Sequence, residues 1–457
     1  MERRPHATYM LYELRRFRVL LIVPLTRLLV ELFRGETPAL RRYETALAGL
    51  LVGYIVAKWL ACRYHLAASK SGRFHTVGVR QGLFLRRSLH IAAEEAASVE
   101  IERTPLLWLF GGRRIRVNTA GLRRRSDVQL YLSAAQARAL FATGNGTRRY
   151  RAARWPVLVM SLTGSNAAVG LLTVAPLLNR AGRLLGNAVT PDVVGLVDRF
   201  ISTGLPPTLR LVANVLVVGW AVAALRSFCR YVGFSAQREA GYLQLVSGLF
   251  TRRDVLIDCN KITTLELRQT LTMRLFSLYT AVITAAGYGR DIGTRPVLIP
   301  AAPARELAHG LDRLLPEYPL CSSLLRPVRG AWKRYTAAPV LWLMAGVGLW
   351  FLGAWWRTVA IIWTGFGLWW LLVRLLGLRQ AGFGCTREAI ALCYPRGLAF
   401  YHVYLPDEVL DSITITQSYF QRHRGSCTVR VRCFGEKKRT HRLWGLPYDA
   451  VRHMITT

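Results

Sequence analysis

Gly82-Leu83-Phe84-Leu85-Arg86-Arg87, followed by Val99-Glu100-Ile101, Leu109-Phe110 and Ala120-Gly121, is read a second time further along the chain. The second reading is Gly248-Leu249-Phe250-Thr251-Arg252-Arg253, Leu265-Glu266-Leu267, Leu275-Phe276 and Ala286-Gly287. One offset, 248 − 82 = 166, relates every pair, and it holds without a gap over about 40 residues, the mark of a duplicated structural unit. Both copies alternate in the manner of strands and are cut by Gly and Arg-rich turns, so each is expected to be a small β module.

The 457 residues correspond to roughly three domains. The hydrophobic fraction is 52% and the mean hydropathy +0.23, yet the formal net charge is +36. These values coexist only if apolar and basic residues occupy different segments. The charge is almost all Arg, with Lys only at 58, 70, 261, 333, 437 and 438. An Arg-favouring genome is one reading of that bias; under either reading the aqueous parts are drawn to anionic surfaces. The eight Cys, at 62, 229, 259, 321, 385, 393, 427 and 433, lack the paired spacing of a zinc site. Cys427 and Cys433 are expected as buried thiols on one strand face, which fits a reducing compartment. No cleavable signal peptide is expected at the basic start, Met1 to Arg18.

In chain order, the apolar run Val19–Val30 is interrupted by Pro24 and Arg27 and is short for a spanning helix, which needs about 20 residues. With Tyr43–Cys62 it makes an N-terminal membrane hairpin (1–63), an interfacial or re-entrant first helix being the alternative. Residues 64–144 form module 1, with strands expected at Thr76–Val79, Leu83–Leu85, Ser98–Ile101, Arg114–Asn118 and Val128–Leu132. A closing helix starts at Ser133. Residues 155–230 hold a second transmembrane pair: Trp155–Leu178, an interfacial helix within 179–206, and Pro207–Leu225. Module 2 occupies 237–318. A third pair, 336–378, is rich in Trp at 342, 350, 355, 356, 363, 369 and 370, the composition of an interfacial belt. Module 3 follows over 379–457, with a weaker echo of the repeat in Gly397-Leu398 and Ile413-Thr414-Ile415-Thr416-Gln417 and a closing helix at Pro447–Ile455.

The order is therefore helix pair then module, three times, which puts all modules on one side. Basic residues cluster at the module-facing ends, among them Arg148, Arg149, Arg151, Arg154, Arg226, Arg230, Lys333, Arg334, Arg374 and Arg379. The opposite loop 179–206 carries Arg180, Arg183 and Arg199 against Asp192 and Asp198, 3 − 2 = +1. The bias of basic residues toward the inner side places modules and both termini in the cytoplasm. Arg34, Arg41 and Arg42 fall on the other side and run against the rule at the first hairpin.

The Gly-Leu-Phe-x-Arg-Arg run, the following Val/Leu-Glu-Ile/Leu strand and the closing Thr-Ala-Gly or Ala-Ala-Gly resemble the bacterial membrane-anchored PH-like domain family. The three-fold order resembles its larger, three-module members. Module 3 departs from the pattern: it lacks the Ala-Gly closure and carries Gln417-Ser418-Tyr419-Phe420-Gln421-Arg422 instead. The resemblance implies an α+β polytopic membrane protein in which each helix pair precedes a PH-like β-sandwich or partly open barrel capped by a C-terminal helix. It implies a bacterial plasma-membrane location, no enzymatic activity, and links to envelope stress and antimicrobial-peptide resistance. The expected partner is a smaller single-module PH-like membrane protein in a hetero-complex, or further copies of the chain.

The residues themselves offer little chemistry. No His lies in a spanning segment to serve Ser165, so a nucleophilic Ser is not expected. Glu94-Glu95 align with Asn260-Lys261 in the second copy and read as a solvated turn. No catalytic residue, cofactor or metal ligand is expected. Arginines remain: Arg86, Arg87, Arg113, Arg114, Arg252 and Arg253, whose guanidinium forks suit phosphate oxygens or a partner's acidic groups. The bland reading is a solvated basic surface that holds the modules to anionic lipid without headgroup specificity. A nucleic-acid partner is not expected, despite the pI. A second functional reading is a transporter or lipid-handling protein that uses Ser161, Thr163, Ser165 and Asn166 in Trp155–Leu178.

Overall fold

The computed structural model describes residues 2–17, 42–68, 75–83, 85–119, 128–140, 148–164, 207–239, 241–285, 296–318, 324–385, 389–433 and 439–456. The first block contains α1 (Thr8–Arg16), α2 (Arg42–Ala61), β1 (Arg63–Ala68), β2 (His75–Gln81), β3 (Arg87–Ile91), β4 (Ala96–Arg103), α3 (Pro105–Leu109), β5 (Gly112–Thr119), β6 (Val128–Ser133) and α4 (Ala134–Leu140). The second contains β7 (Arg148–Arg151), α5 (Arg154–Gly164), α6 (Pro207–Tyr231), β8 (Ser235–Glu239), β9 (Tyr242–Ser247), β10 (Arg252–Asp258), β11 (Ile262–Thr270), α7 (Leu271–Leu275), β12 (Leu278–Ala285), β13 (Val297–Pro303) and α8 (Ala304–Leu314). The third contains α9 (Trp332–Trp350), α10 (Ala354–Gln380), β14 (Gly382–Cys385), β15 (Ala389–Arg396), β16 (Ala399–Pro406), β17 (Leu410–Thr416), α11 (Tyr419–His423), β18 (Ser426–Cys433), β19 (Arg439–Pro447) and α12 (Tyr448–Thr456). The chain is thus mixed α and β, and the same succession of four strands, a one-turn helix, two strands and a closing helix occurs three times.

Local chemistry accounts for the repeated turns. The expected strand at Leu83–Leu85 is instead part of a turn, and the strand begins only at Arg87. Gly82 has φ +122°, and a Cβ there would lie 1.9 Å from the Leu85 carbonyl oxygen; Gly248 has φ +101° and the same conflict at 2.1 Å with Thr251. Only glycine fits a backbone so close to itself. A second repeated detail is a break in register between the fourth and fifth strands of each module, at Ala96/Ser98, Ile262/Thr264 and Leu410/Ser412. At the closing helix of module 1, Ser133 Oγ accepts from the Gln136 amide at 3.3 Å and Gln136 Oε1 accepts from the Ser133 amide at 3.3 Å, a reciprocal cap.

The strands do not stay within their modules. Among the described residues four sheets form, of which β1-β2-β3 and β17-β18-β19 each belong to one module. The other two cross module boundaries, in the orders β6-β5-β4-β10-β9-β8-β7 and β13-β12-β11-β16-β15-β14. At each crossing the fourth strand of one module pairs antiparallel with the third strand of the next, β4 with β10 and β11 with β16. The cores merge accordingly: Ala391 and Tyr404 of module 3 join the buried cluster of module 2 around Leu243, Leu265 and Leu298. Each module's first strand also takes a partner from upstream of its own helix pair, through the bridge Arg3↔Tyr64, the β7–β8 pairing and the bridge Leu325↔Phe383.

Among the described residues one helical segment, Val359–Gln380 of α10, is long and apolar enough to cross a membrane, with a mean hydropathy of 1.8. It packs on α9 through Trp342 and Trp363, whose rings stack at 3.8 Å, each indole N–H donating to the other residue's carbonyl oxygen at 3.2 and 2.9 Å. Gly346 and Gly367 let the helices approach: a Cβ on either would meet the facing helix at 2.7 Å. The three-pair arrangement rests on segments outside the described residues, namely Val19–Val30, residues 179–206, and Ser165 and Asn166 in the second pair. Ala120-Gly121 and Ala286-Gly287 also lie outside them.

Gly248→Ala is expected to lower the thermal midpoint of the solubilised chain clearly, since backbone strain of this type costs about 1–3 kcal/mol. Gly233→Ala is the control: its φ is +70° but open space surrounds the added methyl, so its loss is expected to be smaller. Equal midpoints for the two variants count against this account of the turn.

Candidate functional site

β4 brings Glu100 and Glu102 to one face of the seven-stranded sheet, and both are buried. The register sets Arg116 and Arg114 of β5 opposite them, and Arg253 of β10 opposite Glu102 from the other side. Arg114 donates to Glu102 in a close ion pair. Arg116 stands 3.5 Å from both Glu100 and Glu102, and Arg253 stands 3.7 Å from both. Three guanidiniums thus surround two carboxylates across a module boundary, 3 − 2 = +1. Burial works to raise the Glu102 pKa, but Arg114, with Arg253 and Arg116 behind it, holds it below the ordinary carboxylate value. Burial likewise opposes charge on Arg114, yet Glu102 beside it keeps that pKa above its usual value. Beneath this face lies α1, where the Tyr12 ring sits 5.5 Å from the Arg114 guanidinium carbon and Tyr9 packs edge-on to Tyr131. The second boundary keeps part of this design, with Arg268 donating to the buried Glu266 at 2.8 Å.

The six arginines singled out from the sequence divide among distinct surroundings. Arg114 and Arg253 belong to the carboxylate cluster. Arg86 and Arg87 are exposed at the turn between β2 and β3. Arg252 is exposed at the start of β10, opposite Arg103, and Arg113 is half-buried on β5. Arg252 and Arg113 act on Asp254, whose pKa is raised because its burial outweighs them and the two hydrogen bonds it accepts from Gln244 Nε2 at 2.8 and 2.9 Å. In the sequence Glu100 and Glu266 stand out only as repeat positions. The available signal was a carboxylate recurring inside an apolar strand, since a buried charge needs a partner.

A cavity of about 1470 Å³ opens beside the cluster. Its walls come from the β2–β3 turn (Gly82, Leu85, Arg87), the foot of α2 (Lys58) and the foot of α6 (Arg226, Arg230). Lys58 is bound to Glu13 at 2.8 Å.

Around the same end, each module exposes apolar side chains on its one-turn helix and on the turn between its second and third strands. Leu109 of α3 is 74% exposed, Leu275 of α7 78% and Phe420 of α11 77%; at the turns Leu85 reaches 80% and Phe250 67%. These tips are held rather than loose. Thr104 Oγ1 accepts from the Leu107 amide at 3.3 Å and Thr270 Oγ1 from the Met273 amide at 3.2 Å, while Ser418 and Gln421 form a reciprocal cap. The tips sit at the feet of the long helices: the Leu249 amide donates to the Cys229 carbonyl of α6 at 2.8 Å, and Leu271 packs with Val373 and Leu376 of α10. Among the described residues no group of three or more His, Cys, Asp or Glu is placed to hold a metal ion.

A sequence model described as "Bacterial PH domain" matches the chain twice, over residues 19–145 and 190–315, together more than half its length. The chain is also similar to the UPF0699 transmembrane protein YdbT of Bacillus subtilis, with 27% identity over 129 residues. That alignment covers 28% of this chain and 26% of the relative, so the similarity spans about a quarter of that protein. No solved structure matches.

Glu102→Gln is expected to destabilise the solubilised chain by about 3–5 kcal/mol, the cost of leaving one partner of a buried pair uncompensated. The pH dependence has a defined sign. The folded-state pKa of Glu102 is depressed, so its contribution is present above the unfolded carboxylate pKa and is lost as pH falls through the folded value. Asp254 has the opposite shift; its contribution is greatest below its unfolded pKa and is lost as pH rises through its folded value. The thermal margin of the wild type over Glu102→Gln should therefore be full at pH 7 and shrink at acid pH; a margin independent of pH is the contrary result.

Proposed function

The chain belongs to the bacterial PH domain family, and from that premise we propose a non-enzymatic membrane scaffold. Three PH-like modules, each behind a pair of membrane helices, lie against the cytoplasmic leaflet and assemble proteins there. One observation carries the reading: in every module the exposed apolar side chains gather on the turns beside the feet of the helices, ringed by arginines. Exposed clusters of Leu, Phe and Trp next to basic side chains suit the boundary between headgroups and acyl chains. Arg103 over the exposed Trp108 at 5.3 Å is an arrangement of this type. The description of the Bacillus relative as a transmembrane protein supports the same location. The lipid contact is electrostatic and without headgroup selectivity, at about 1 kcal/mol per basic residue near the surface. Envelope stress and resistance to membrane-active peptides are the settings the family resemblance favours.

A second reading, lipid handling, is favoured by the cavity between the β2–β3 turn and the feet of α2 and α6, which combines Arg87 and Arg226 with the apolar Leu85 and Phe250. On that reading, replacing Ser161 and Thr163 by Ala abolishes function at unchanged membrane level. Thr163 Oγ1 donates to the Val159 carbonyl of its own helix at 2.9 Å, which commits that hydroxyl to the helix rather than to a substrate.

Two measurements test the scaffold. A photoreactive residue at Leu275 or Phe420 in native membranes should form lipid adducts, and one at Glu306 on the closing helix should not; equal labelling removes the membrane-facing assignment. Purification in mild detergent should retain stoichiometric partners or oligomers, and a clean, inert monomer counts heavily against a scaffold.

A further inference from the structure

The joint between modules is used twice and left unused once at each end of the row. Among the described residues β3 pairs only with β2, and β17 pairs only with β18. Both are the outer strands of their sheets. β3 is a third strand, the type that β10 and β16 contribute at the two joints. β17 is a fourth strand, the type that β4 and β11 contribute. One end of the row therefore carries the donor half of the joint and the other end the acceptor half.

The two existing joints share a register. Glu100 and Glu266 each stand two residues beyond Ser98 and Thr264, where the regular pairing resumes after the break. They face Val255 and Val403, which each precede by four residues the turns beginning at Cys259 and Asp407. In module 3 regular pairing resumes at Ser412, which makes Thr414 the corresponding fourth-strand residue. In module 1 the turn begins at Ala93, which makes Leu89 the corresponding third-strand residue. The joint, carried over, sets Thr414 opposite Leu89 and Thr416 opposite Arg87.

Three features fit this edge to a joint. β17 reads Leu-Asp-Ser-Ile-Thr-Ile-Thr, without Pro or Lys and with one charge, so it lacks the usual devices that blunt an edge strand. Thr416 leads into the apolar tip at α11, and Arg87 follows the apolar turn after Gly82. The carried-over register puts these two tips at the same end, as Arg103 and Arg252 are at the first joint, so an added copy keeps its tips level with the same membrane. The buried carboxylates of the inner joints are replaced by Thr414 and Thr416, so the edge buries no unpaired charge while it waits.

We infer that β17 of one copy takes β3 of a second copy of this chain, extending the row of modules head to tail. The contact is heterologous, since each copy offers two different edges, and it is a strand addition held by backbone hydrogen bonds. The inference rests on the reading of the chain as membrane-tethered modules and names what one end of the row assembles with.

The test uses the full chain in native membranes, with two differently tagged copies co-expressed. One carries Leu89→Cys, the other Thr414→Cys; neither strand contains a native cysteine, and the unsubstituted chain sets the background. Oxidation should link the two tagged copies to each other, with neither substitution linking to itself. Adding Thr416→Arg to the Thr414→Cys copy should lower the yield by up to about fivefold through the like charge on Arg87, and Arg87→Glu in the other copy should restore it. Absence of the mixed link with both copies at normal membrane level overturns the inference, as do Leu89–Leu89 or Thr414–Thr414 links in its place. A link from Thr414→Cys to a different protein overturns it too while leaving the scaffold reading intact, whereas a chain that purifies as an inert monomer removes both.

Discussion

A β-strand at the edge of a sheet presents a row of N–H and C=O groups whose hydrogen bonds must go somewhere. In this chain that constraint determines how the parts combine. Each module is a pair of small sheets with edges on both sides, and a few strands alone make a marginal fold. Pairing β4 with β10 and β11 with β16 satisfies those edges in one step and turns three small sheets-on-sheets into a row with two long shared sheets. The apolar cores follow the strands across each boundary, so the modules cannot rotate against one another without breaking both a ladder and a core. Glu100, Glu102, Arg114, Arg116 and Arg253 are the polar consequence. They occupy the face of the joined strands, and their burial is tolerable because the joint itself brings the charges together.

The helix pairs fit the same logic. Arg3, β7 and Leu325 each lie upstream of a helix pair and each bond to the first strand of the module downstream of it. A helix pair is therefore an excursion whose two ends are clamped in one sheet, a few residues apart. That clamp fixes the height of the module above the helices' feet and turns the one-turn helices and the Gly-Leu turns toward the same end. In the third pair, tight packing at Trp342, Trp363, Gly346 and Gly367 gives the excursion a single shape.

The sequence disclosed the parts better than their assembly. The repeat, the capped closing helix after Ser133 and the Trp-rich pair each carry a local signature: a fixed offset, a capping side chain, an apolar run. The turn at Gly82 was legible as a glycine but misplaced as part of a strand, because Leu83 and Leu85 are apolar and alternate while the backbone at φ +122° has already left the sheet. The pairing of β4 with β10 had no comparable sign, since backbone groups do the bonding and any side chain that tolerates a strand will serve. Arg114 and Arg253 stood out as basic residues, but their meaning depended on Glu102, which the chain separates from Arg253 by more than a hundred residues.

The net charge of the protein is therefore not a uniform basic coat. A formal +36 invites the view that the modules are coated with arginine for anionic lipid. The best-described arginines of module 1 and its joint do something else: Arg114, Arg116 and Arg253 are held by two carboxylates, and Arg103 lies over an aromatic ring. Arg suits these places and Lys does not, because a planar fork can serve two carboxylates at once and stack on a ring while remaining charged when buried. The arginines left exposed are those of the tips, Arg86, Arg87 and Arg252, where the repeat places them beside the exposed Leu85 and Phe250. On the proposed reading, attraction to the leaflet is concentrated at these tips, and a contact in which each basic group is backed by an apolar one would orient the row as well as bind it.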